Sequence, residues 1–145
     1  MDIPALMNLA RTAHRASRFA HVPIDEAQAK RAWLEAVNTP AAAVFVKEQD
    51  GQVVGCIAGL SGQLYHCLGV AIVVEQFWFV LPGTSGRAAI GLLKRLEQWA
   101  EDTYVACVVR ISTNDAIRGL KDTGRLWDRM GYRQSGSVYG KEIGI

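Results

Sequence analysis

The sequence feature that most constrains the fold is a long apolar segment followed directly by an amphipathic one. Residues 70–81 are almost wholly apolar and rich in β-branched and aromatic side chains, which is typical of a central strand covered on both faces. Pro82 ends this strand because it cannot donate a hydrogen bond to a ladder. A short polar turn follows, and after Gly86 apolar residues recur at spacings of three and four. The pattern predicts a strand, a turn and a helix in direct succession.

The turn between this strand and helix has the features of an anion site. The first N–H groups of a helix lack partners, the helix dipole is positive there, and glycines let a ligand approach. A P-loop needs Lys and Ser or Thr directly after its last glycine, whereas Gly86 is followed by Arg87 and Ala88. The spacing of Gly83, Gly86 and Gly91 does not fit G-x-G-x-x-G either. Both nucleotide-binding motifs are therefore excluded.

Residues 80–88, VLPGTSGRA, resemble the acyl-CoA-binding segment of the GNAT N-acetyltransferase superfamily. In that family a strand ending in V-x-P precedes Q/R-x-x-G-x-G/A at the start of a helix. Gly86 and Ala88 match the final small positions, and Gly83 stands where Gln or Arg is usual. The resemblance implies acetyl-CoA as co-substrate. A metal site would need closely spaced Cys or His pairs, and the sequence has none, so we expect no metal. The cofactor-binding residues that it implies are Phe79, Val80, Leu81, Gly83, Thr84, Ser85, Gly86, Arg87, Ala88 and Asn114.

Patterns along the chain predict the element order α–α–β–β–β–α–β–α–β, an α/β fold with a mixed sheet. Apart from the strand and helix above, the predicted helices span residues 4–19, 25–37 and 114–130, and the predicted strands span 43–47, 52–60, 104–112 and 137–143. The GNAT resemblance extends over about residues 4–143. It implies a sheet that splays beside the central strand. The usual first strand is not seen here, so either the sheet lacks an edge strand or the true start of the chain lies upstream. We expect residues 1–145 to form a single GNAT-like domain.

Glu75 is the candidate catalytic base. It is the only carboxylate between Gly51 and Glu97 and lies in the predicted central strand, where an unpaired charge would be costly. Its position resembles that of a catalytic Glu in some GNAT enzymes, which implies that it removes a proton from the incoming amine, directly or through water. The alternative is a structural carboxylate paired with an Arg from a helix.

Two further candidates follow from the resemblance. Many GNAT proteins have a Tyr that protonates the leaving thiolate shortly before a Gly-aromatic pair, whereas here the nearest aromatic residue is Trp127, whose indole is a poor acid. Tyr139 is a substitute catalytic residue, with packing on the last strand as its alternative. Asn114 stands where many members have an Asn that faces pantetheine, with turn or helix-cap duty as its alternative.

Three residues are candidates for binding the acceptor substrate. Residues 14–21 resemble the helix-to-loop stretch of GNAT proteins from phage and prophage genomes. That region shapes the acceptor site in the family, so Arg18 and Phe19 are candidate lining residues. His66, just before the central strand, either lines the acceptor cleft or is a turn residue.

Composition excludes several other classes of protein. A net charge of +2 makes nucleic acid an unlikely partner. The three cysteines are odd in number and lie in strand-like surroundings, which favours reduced thiols in the cytoplasm. No apolar run reaches the roughly 18 residues of a membrane span, and no secretory signal is visible. We therefore expect a cytoplasmic protein with no membrane partner.

Together these observations predict an N-acyltransferase that moves an acetyl group from acetyl-CoA to a primary amine by direct attack in a ternary complex. A non-catalytic acyl-CoA-binding or protein-interaction module on the same fold is the first alternative. A small structural or host-takeover protein that does not use CoA is the second. Polyamine, antibiotic, peptide N-terminus and protein Lys all remain open as acceptors. A missing first strand would expose a sheet edge and favour a homodimer.

Overall fold

A four-stranded sheet with the strand order β1-β2-β3-β4 forms the centre of the protein. The computed structural model describes residues 2–112, 124–136, 141 and 143. In chain order the elements are α1 (Ile3–Ala16), α2 (Glu26–Asn38), β1 (Ala42–Gln49), β2 (Gln52–Gln63), β3 (Ala71–Val80), α3 (Gly86–Thr103), β4 (Cys107–Arg110) and α4 (Gly124–Arg129). The α/β class and the mixed sheet agree with the sequence prediction.

The strand directions follow from the lengths of the connections. β1, β2 and β3 are consecutive antiparallel strands, and the first hairpin turns at Asp50 and Gly51, whose φ values are both positive (51° and 75°), as a type I′ turn requires. β3 and β4 are parallel, and α3 forms the crossover between them. The carboxyl ends of β3 and β4 therefore lie at the same edge of the sheet.

Helices cover both faces of the sheet, so that the apolar residues of β2 and β3 pack on two sides. The cluster on the α3 face consists of Ala43, Ile57, Val73, Leu92, Leu93, Leu96 and Ala100. The cluster on the α1 and α2 face consists of Leu6, Met7, Leu9, Trp33, Cys56 and Ala58. This arrangement explains why β3 is apolar at successive positions and does not alternate with polar residues.

The first helix is shorter than the predicted 4–19. It ends at Ala16 because Ser17 folds back, and both its Oγ (2.7 Å) and its backbone N–H (3.0 Å) donate to the carbonyl oxygen of His14. The second helix begins after Asp25 as predicted, since the Asp25 carboxylate accepts from the backbone N–H of Gln28 at 2.9 Å.

The fourth strand is also shorter than predicted, because its first residues complete the preceding helix. The backbone N–H of Tyr104 donates to the carbonyl oxygen of Ala100 at 3.0 Å, and the Tyr104 ring packs edge-on against Trp99. Only Cys107–Arg110 remains as a strand. The predicted helix over 114–130 is described only in its last part, which contains α4, and most of the predicted strand over 137–143 lies outside the described residues.

The first described element is α1, which begins at Ile3. Asp2 caps α1 by accepting from the backbone N–H of Ala5 at 3.1 Å, and no strand precedes α1 in the described part. Within residues 2–112, β1 pairs with β2 alone, so its other side is an edge of the sheet. Among the helices described, none has the length and apolar character needed to cross a membrane.

Candidate active site

The sheet opens beside β3, because β3 pairs with β4 over only part of its length. Residues Ala71 to Val74 are in register with Cys107 to Arg110, and the pairing then stops. From Glu75 to Val80, β3 remains paired with β2 but has no partner on its β4 side among the described residues. Within the described residues β3 and β4 therefore separate, as the resemblance implies, and one side of the β3 backbone has no strand partner there.

A β-bulge in β3 coincides with the start of this opening. Gly59 is opposite Glu75 and Ala58 is opposite Phe77, so Gln76 is the extra residue. Bulges bend a strand and change the face to which the following side chains point. Phe77 consequently packs against the α1 and α2 cluster, whereas Gly59, across from Glu75, approaches Leu96 of α3.

Beyond the opening, a turn leads from β3 into α3. The backbone N–H of Leu81 donates to the carbonyl oxygen of Val54 at 2.8 Å. The backbone N–H of Thr84 donates to the carbonyl oxygen of Leu81 at 3.0 Å. Gly83 has a φ of 86°, a backbone conformation that favours glycine. This conformation is the physical reason why a glycine, and not Gln or Arg, stands at this position.

The amino end of α3 is capped by Ser85 and is open in front of Gly86. Ser85 Oγ accepts a hydrogen bond from the backbone N–H of Arg87 at 3.3 Å. The backbone carbonyl oxygen of Ser85 accepts one from the backbone N–H of Ala88 at 2.8 Å. A Cβ built at Gly86 would meet no atom within 4 Å. No contact within the described chain therefore requires glycine at 86, whereas a ligand approaching the helix end would.

The side chains at 79–81 belong to the core, which limits what they can offer a cofactor. Phe79 and Leu81 pack against the α1 and α2 cluster, and Val80 packs against the α3 cluster. The backbone on the open side of β3 is therefore what these residues mainly offer a cofactor, as the resemblance implies for this segment.

Glu75 lies at the point where the pairing of β3 with β4 stops. Its Oε2 accepts hydrogen bonds from the Oγ (3.1 Å) and, at longer range, the backbone N–H (3.5 Å) of Ser112, which follows β4. Burial raises the pKa of the Glu75 carboxyl, and the two donors of Ser112 oppose that increase by stabilising the anion. Within the described residues no Arg or Lys forms an ion pair with Glu75, so the alternative of a structural ion pair gains no support there.

An aromatic cluster covers the α3 face beside the open half of β3. Trp78 and Trp127 lie with ring centroids 5.5 Å apart, and Trp127 is 6.0 Å from Tyr132. Tyr132 Oη donates to Glu97 of α3 at 2.7 Å. The Nε1 atoms of Trp78 and Trp127 are buried and have no hydrogen-bond partner among the described residues. Because they lie inside the cluster, these N–H groups are shielded from a ligand at the open side of β3.

Acetyl-CoA fits the residues present on two counts. The open side of β3 can pair with amide groups, and the end of α3 in front of Gly86 can accept an anion. Within the described residues, no group of three His, Cys, Asp or Glu side chains is placed to hold a metal ion.

The acceptor candidates Arg18 and Phe19 lie in the connection between α1 and α2. The Arg18 guanidinium stands over the Phe19 ring at 4.7 Å, and the backbone N–H of Phe19 donates to Ser17 Oγ at 3.1 Å. His14 Nε2 contacts the carbonyl oxygen of Val22 at 2.8 Å and ties the connection to α1. Arg18 and Phe19 are thus adjacent on an ordered loop, but no described hydrogen bond or ring contact joins them to Glu75.

His66 is exposed in the connection between β2 and β3. Its neighbour Tyr65 accepts a hydrogen bond from Arg110 Nη2 at 3.2 Å, which links this loop to the end of β4. Asn114 and Tyr139 lie outside the described residues. The sequence interpretation missed Ser112 and both indole donors. Ser112 and Glu75 are 37 residues apart, and no local pattern signals a contact over that distance.

The class of fold that these features define is that of the GNAT acetyltransferases, because the mixed sheet and flanking helices match solved acetyltransferase structures. One is a ribosomal-protein-alanine N-acetyltransferase from Brucella melitensis biovar Abortus 2308, with 18% identity and a TM-score of 0.66 over 98% of this chain and 94% of that one. AAC(6')-Iy, solved with the bisubstrate analogue CoA-S-monomethyl-acetylneamine, has 15% identity and a TM-score of 0.69 over 99% and 92% of the two chains.

A protein described as a transcriptional regulator, from Bacillus halodurans C-125, also has this fold. It has 11% identity and a TM-score of 0.80 over 99% of this chain and 96% of that one. No protein-family model matches the sequence, and no curated protein matches it. At such low identities the likeness establishes the fold, and function has to be argued from the site.

Proposed function

We propose that this protein is an N-acetyltransferase that uses acetyl-CoA and transfers the acetyl group directly to a primary amine in a ternary complex. The observation that supports this most is the position of Glu75. It lies where β3 loses its β4 partner, and the open strand beyond it leads to the amino end of α3. The proposed base, the open strand edge and the proposed anion site therefore follow one another along β3 and into α3.

Glu75 is the proposed general base. A primary amine is mostly protonated at neutral pH and cannot attack until it loses a proton. Because burial raises the pKa of Glu75, its carboxylate is a stronger base than that of an exposed Glu. The proton moves from the amine to the carboxylate, directly or through one water molecule, and Glu75 later releases it to solvent.

The open side of β3, the turn at 81–85 and the amino end of α3 are the proposed cofactor site. When bound, acetyl-CoA supplies the activated acyl group that reacts with the amine. Residues 79–81, Thr84, Ser85, Arg87 and Ala88 would line this site, together with the open space at Gly83 and Gly86. Because the N–H groups of Leu81, Thr84, Arg87 and Ala88 already donate within the chain, the helix dipole and the N–H groups of Ser85 and Gly86 would meet the anion. The proposed contacts with the acceptor are Arg18, Phe19 and His66. Asn114 is the proposed contact with pantetheine, and Tyr139 is the proposed proton donor.

A non-catalytic acyl-CoA-binding module is the second candidate. The fold is shared with a protein described as a transcriptional regulator, so the fold alone does not imply turnover. Such a module would bind acetyl-CoA without releasing CoA in the presence of any amine. We also propose a cytoplasmic location, with which the three free thiols agree.

The decisive experiment measures the release of free CoA thiol from acetyl-CoA with a panel of amines that includes polyamines, aminoglycosides, peptide N-termini and Lys side chains. Release that depends on an amine, with the acetylated amine identified by mass spectrometry, supports the enzyme. Binding of acetyl-CoA without amine-dependent release supports the binding module. Glu101→Gln, at an exposed site on α3, is the matched control for Glu75→Gln, because it makes the same chemical change outside the proposed site.

A further inference from the structure

The contact that carries a further inference joins Ser112 to Glu75 across the opening of the sheet. Ser112 Oγ and the backbone N–H of Ser112 both donate to one carboxylate oxygen, Oε2, at 3.1 and 3.5 Å. Ser112 follows β4, whereas Glu75 lies in β3 just after the last residue paired with β4. The contact therefore spans the two strands at the place where they separate.

We propose that Ser112 is a positioning residue for the base: it holds Glu75 Oε2 by hydrogen bonds and leaves Oε1 to accept the proton of the acceptor amine. This inference rests on the proposed function of Glu75 as a base. Among the described residues no hydrogen bond to Oε1 accompanies those to Oε2. A carboxylate held through one oxygen has a fixed orientation, which proton transfer requires.

The charged groups on the neighbouring elements do not replace Ser112 in this role. β2 contains no charged residue, and Glu75 is the only one in β3. Arg110 of β4 donates to Tyr65 Oη, and Glu97 of α3 accepts from Tyr132 Oη. Arg95 of α3 stands over the Phe45 ring at 5.4 Å. Burial and Ser112 are accordingly the causes of the altered pKa of Glu75.

Removal of the Ser112 hydroxyl should change the pKa of Glu75 in a definite direction. The donors of Ser112 stabilise the ionised form of Glu75 and oppose the effect of burial. Ser112→Ala removes the shorter hydrogen bond and leaves burial unchanged, so the Glu75 pKa should increase further. Ser112→Thr keeps a hydroxyl at the same position. Because Ser112 is exposed, neither substitution should prevent folding.

The test is a ¹³C NMR titration of the Glu75 side-chain carboxyl carbon in wild type, Ser112→Ala and Ser112→Thr, with Glu75→Gln used to assign the signal. We expect the midpoint to move to higher pH in Ser112→Ala and to stay near the wild-type value in Ser112→Thr. An unchanged midpoint in Ser112→Ala, or an equal shift in both variants, would overturn the proposal.

A kinetic measurement separates this proposal from the proposed function. Below the pKa of a general base, kcat/KM falls about tenfold per pH unit. If Glu75 is the base, this acidic limb should move to higher pH in Ser112→Ala. In Ser112→Thr it should return to the wild-type position. If Glu75→Gln leaves kcat unchanged, the proposed role of Glu75 as the base fails. In that case the NMR titration still decides whether Ser112 holds the carboxylate. An unshifted acidic limb in Ser112→Ala of an enzyme that depends on Glu75 would overturn the positioning role.

Discussion

At the scale of single residues, the informative features are buried polar groups whose partners lie far away in sequence. Among the described residues Glu75 is held by Ser112 and by no cation, and the indole N–H groups of Trp78 and Trp127 have no partner there. A partly buried carboxyl without a cationic partner lowers stability when it ionises. Such a group is more readily explained by chemistry than by packing.

Glu75→Gln should lower kcat at least about 10²-fold, because a placed base contributes roughly 10²–10⁴-fold and Gln keeps the shape but not the basicity. The affinity for acetyl-CoA should stay within a few-fold of wild type. The deficit should shrink as the pH increases, since more of the amine then arrives unprotonated. Steady-state kinetics over a pH series test this, with Glu101→Gln as the control. Normal turnover by a folded Glu75→Gln would place the base elsewhere, with His66 next to be tested.

The same substitution should change how stability depends on pH. The folded-state pKa of Glu75 is raised by burial, so its contribution to stability is complete below the unfolded-state pKa of about 4.3. That contribution is lost as the pH increases through the folded-state pKa. The free energy of unfolding of wild type, measured relative to Glu75→Gln in urea between about pH 4 and pH 8, should therefore decrease with pH. A difference that increases with pH would mean that the folded protein stabilises the ionised carboxylate.

At the scale of secondary-structure elements, sequence patterns predicted most of the elements but not how the strands pair. The strand, turn and helix around Pro82 were predicted because their apolar periodicities differ. The pairing of β3 was not predictable, because β3 is apolar on both faces and carries no signal of register. The bulge at Gln76 and the early end of β4 pairing, which together create the opening, depend on tertiary contacts.

The ends of elements show the same limit. α1 ends at Ala16 because the Ser17 side chain donates to the carbonyl oxygen of His14. Such side-chain bonds compete with the helix even where the apolar pattern would continue it. Ser112 was predicted only as the last residue of a strand, and its contact with Glu75 required the parallel alignment of β3 and β4. The sequence therefore identified Glu75 but not the residue that holds it.

The anchoring of α4 to α3 gives a prediction at this scale. Tyr132 directly follows the turn after α4 and donates to Glu97 at 2.7 Å, and burial together with Glu97 raises the pKa of this phenol, so that it remains a donor. Tyr132→Phe should lower the free energy of unfolding by about 1.5 kcal/mol, the value of a hydrogen bond to a charged group. Urea denaturation measures the change. The control is Tyr65→Phe, the same substitution in an exposed loop, which should change the free energy of unfolding by less than about 0.5 kcal/mol. Equal changes in Tyr132→Phe and Tyr65→Phe would show that the hydrogen bond to Glu97 contributes nothing.

At the scale of the whole molecule, the proposed site lies on the elements that hold both cores together. β2 and β3 contribute to the α3 cluster and to the α1 and α2 cluster, and the open edge belongs to β3 itself. The exposed ion pair between Arg11 and Glu26 joins α1 to α2 at 2.7 Å, but surface pairs add little. Stability therefore depends mainly on the two apolar clusters, and a ligand bound along β3 should stabilise the entire fold rather than one loop.

Acetyl-CoA should consequently raise the melting temperature of the protein as a single cooperative unit. At about 100-fold over its dissociation constant the stabilisation should be roughly 2.7 kcal/mol. Gly86→Asp should abolish the shift, because it places a side chain and a negative charge in the open space before α3. Gly62→Asp is the matched control, since it adds the same charge to open space in β2 and at a residue outside the proposed site. Differential scanning calorimetry with and without acetyl-CoA measures all three proteins. An unchanged shift in Gly86→Asp would contradict the assignment of the turn, and equal losses in both variants would mean that added charge, rather than its position, is responsible.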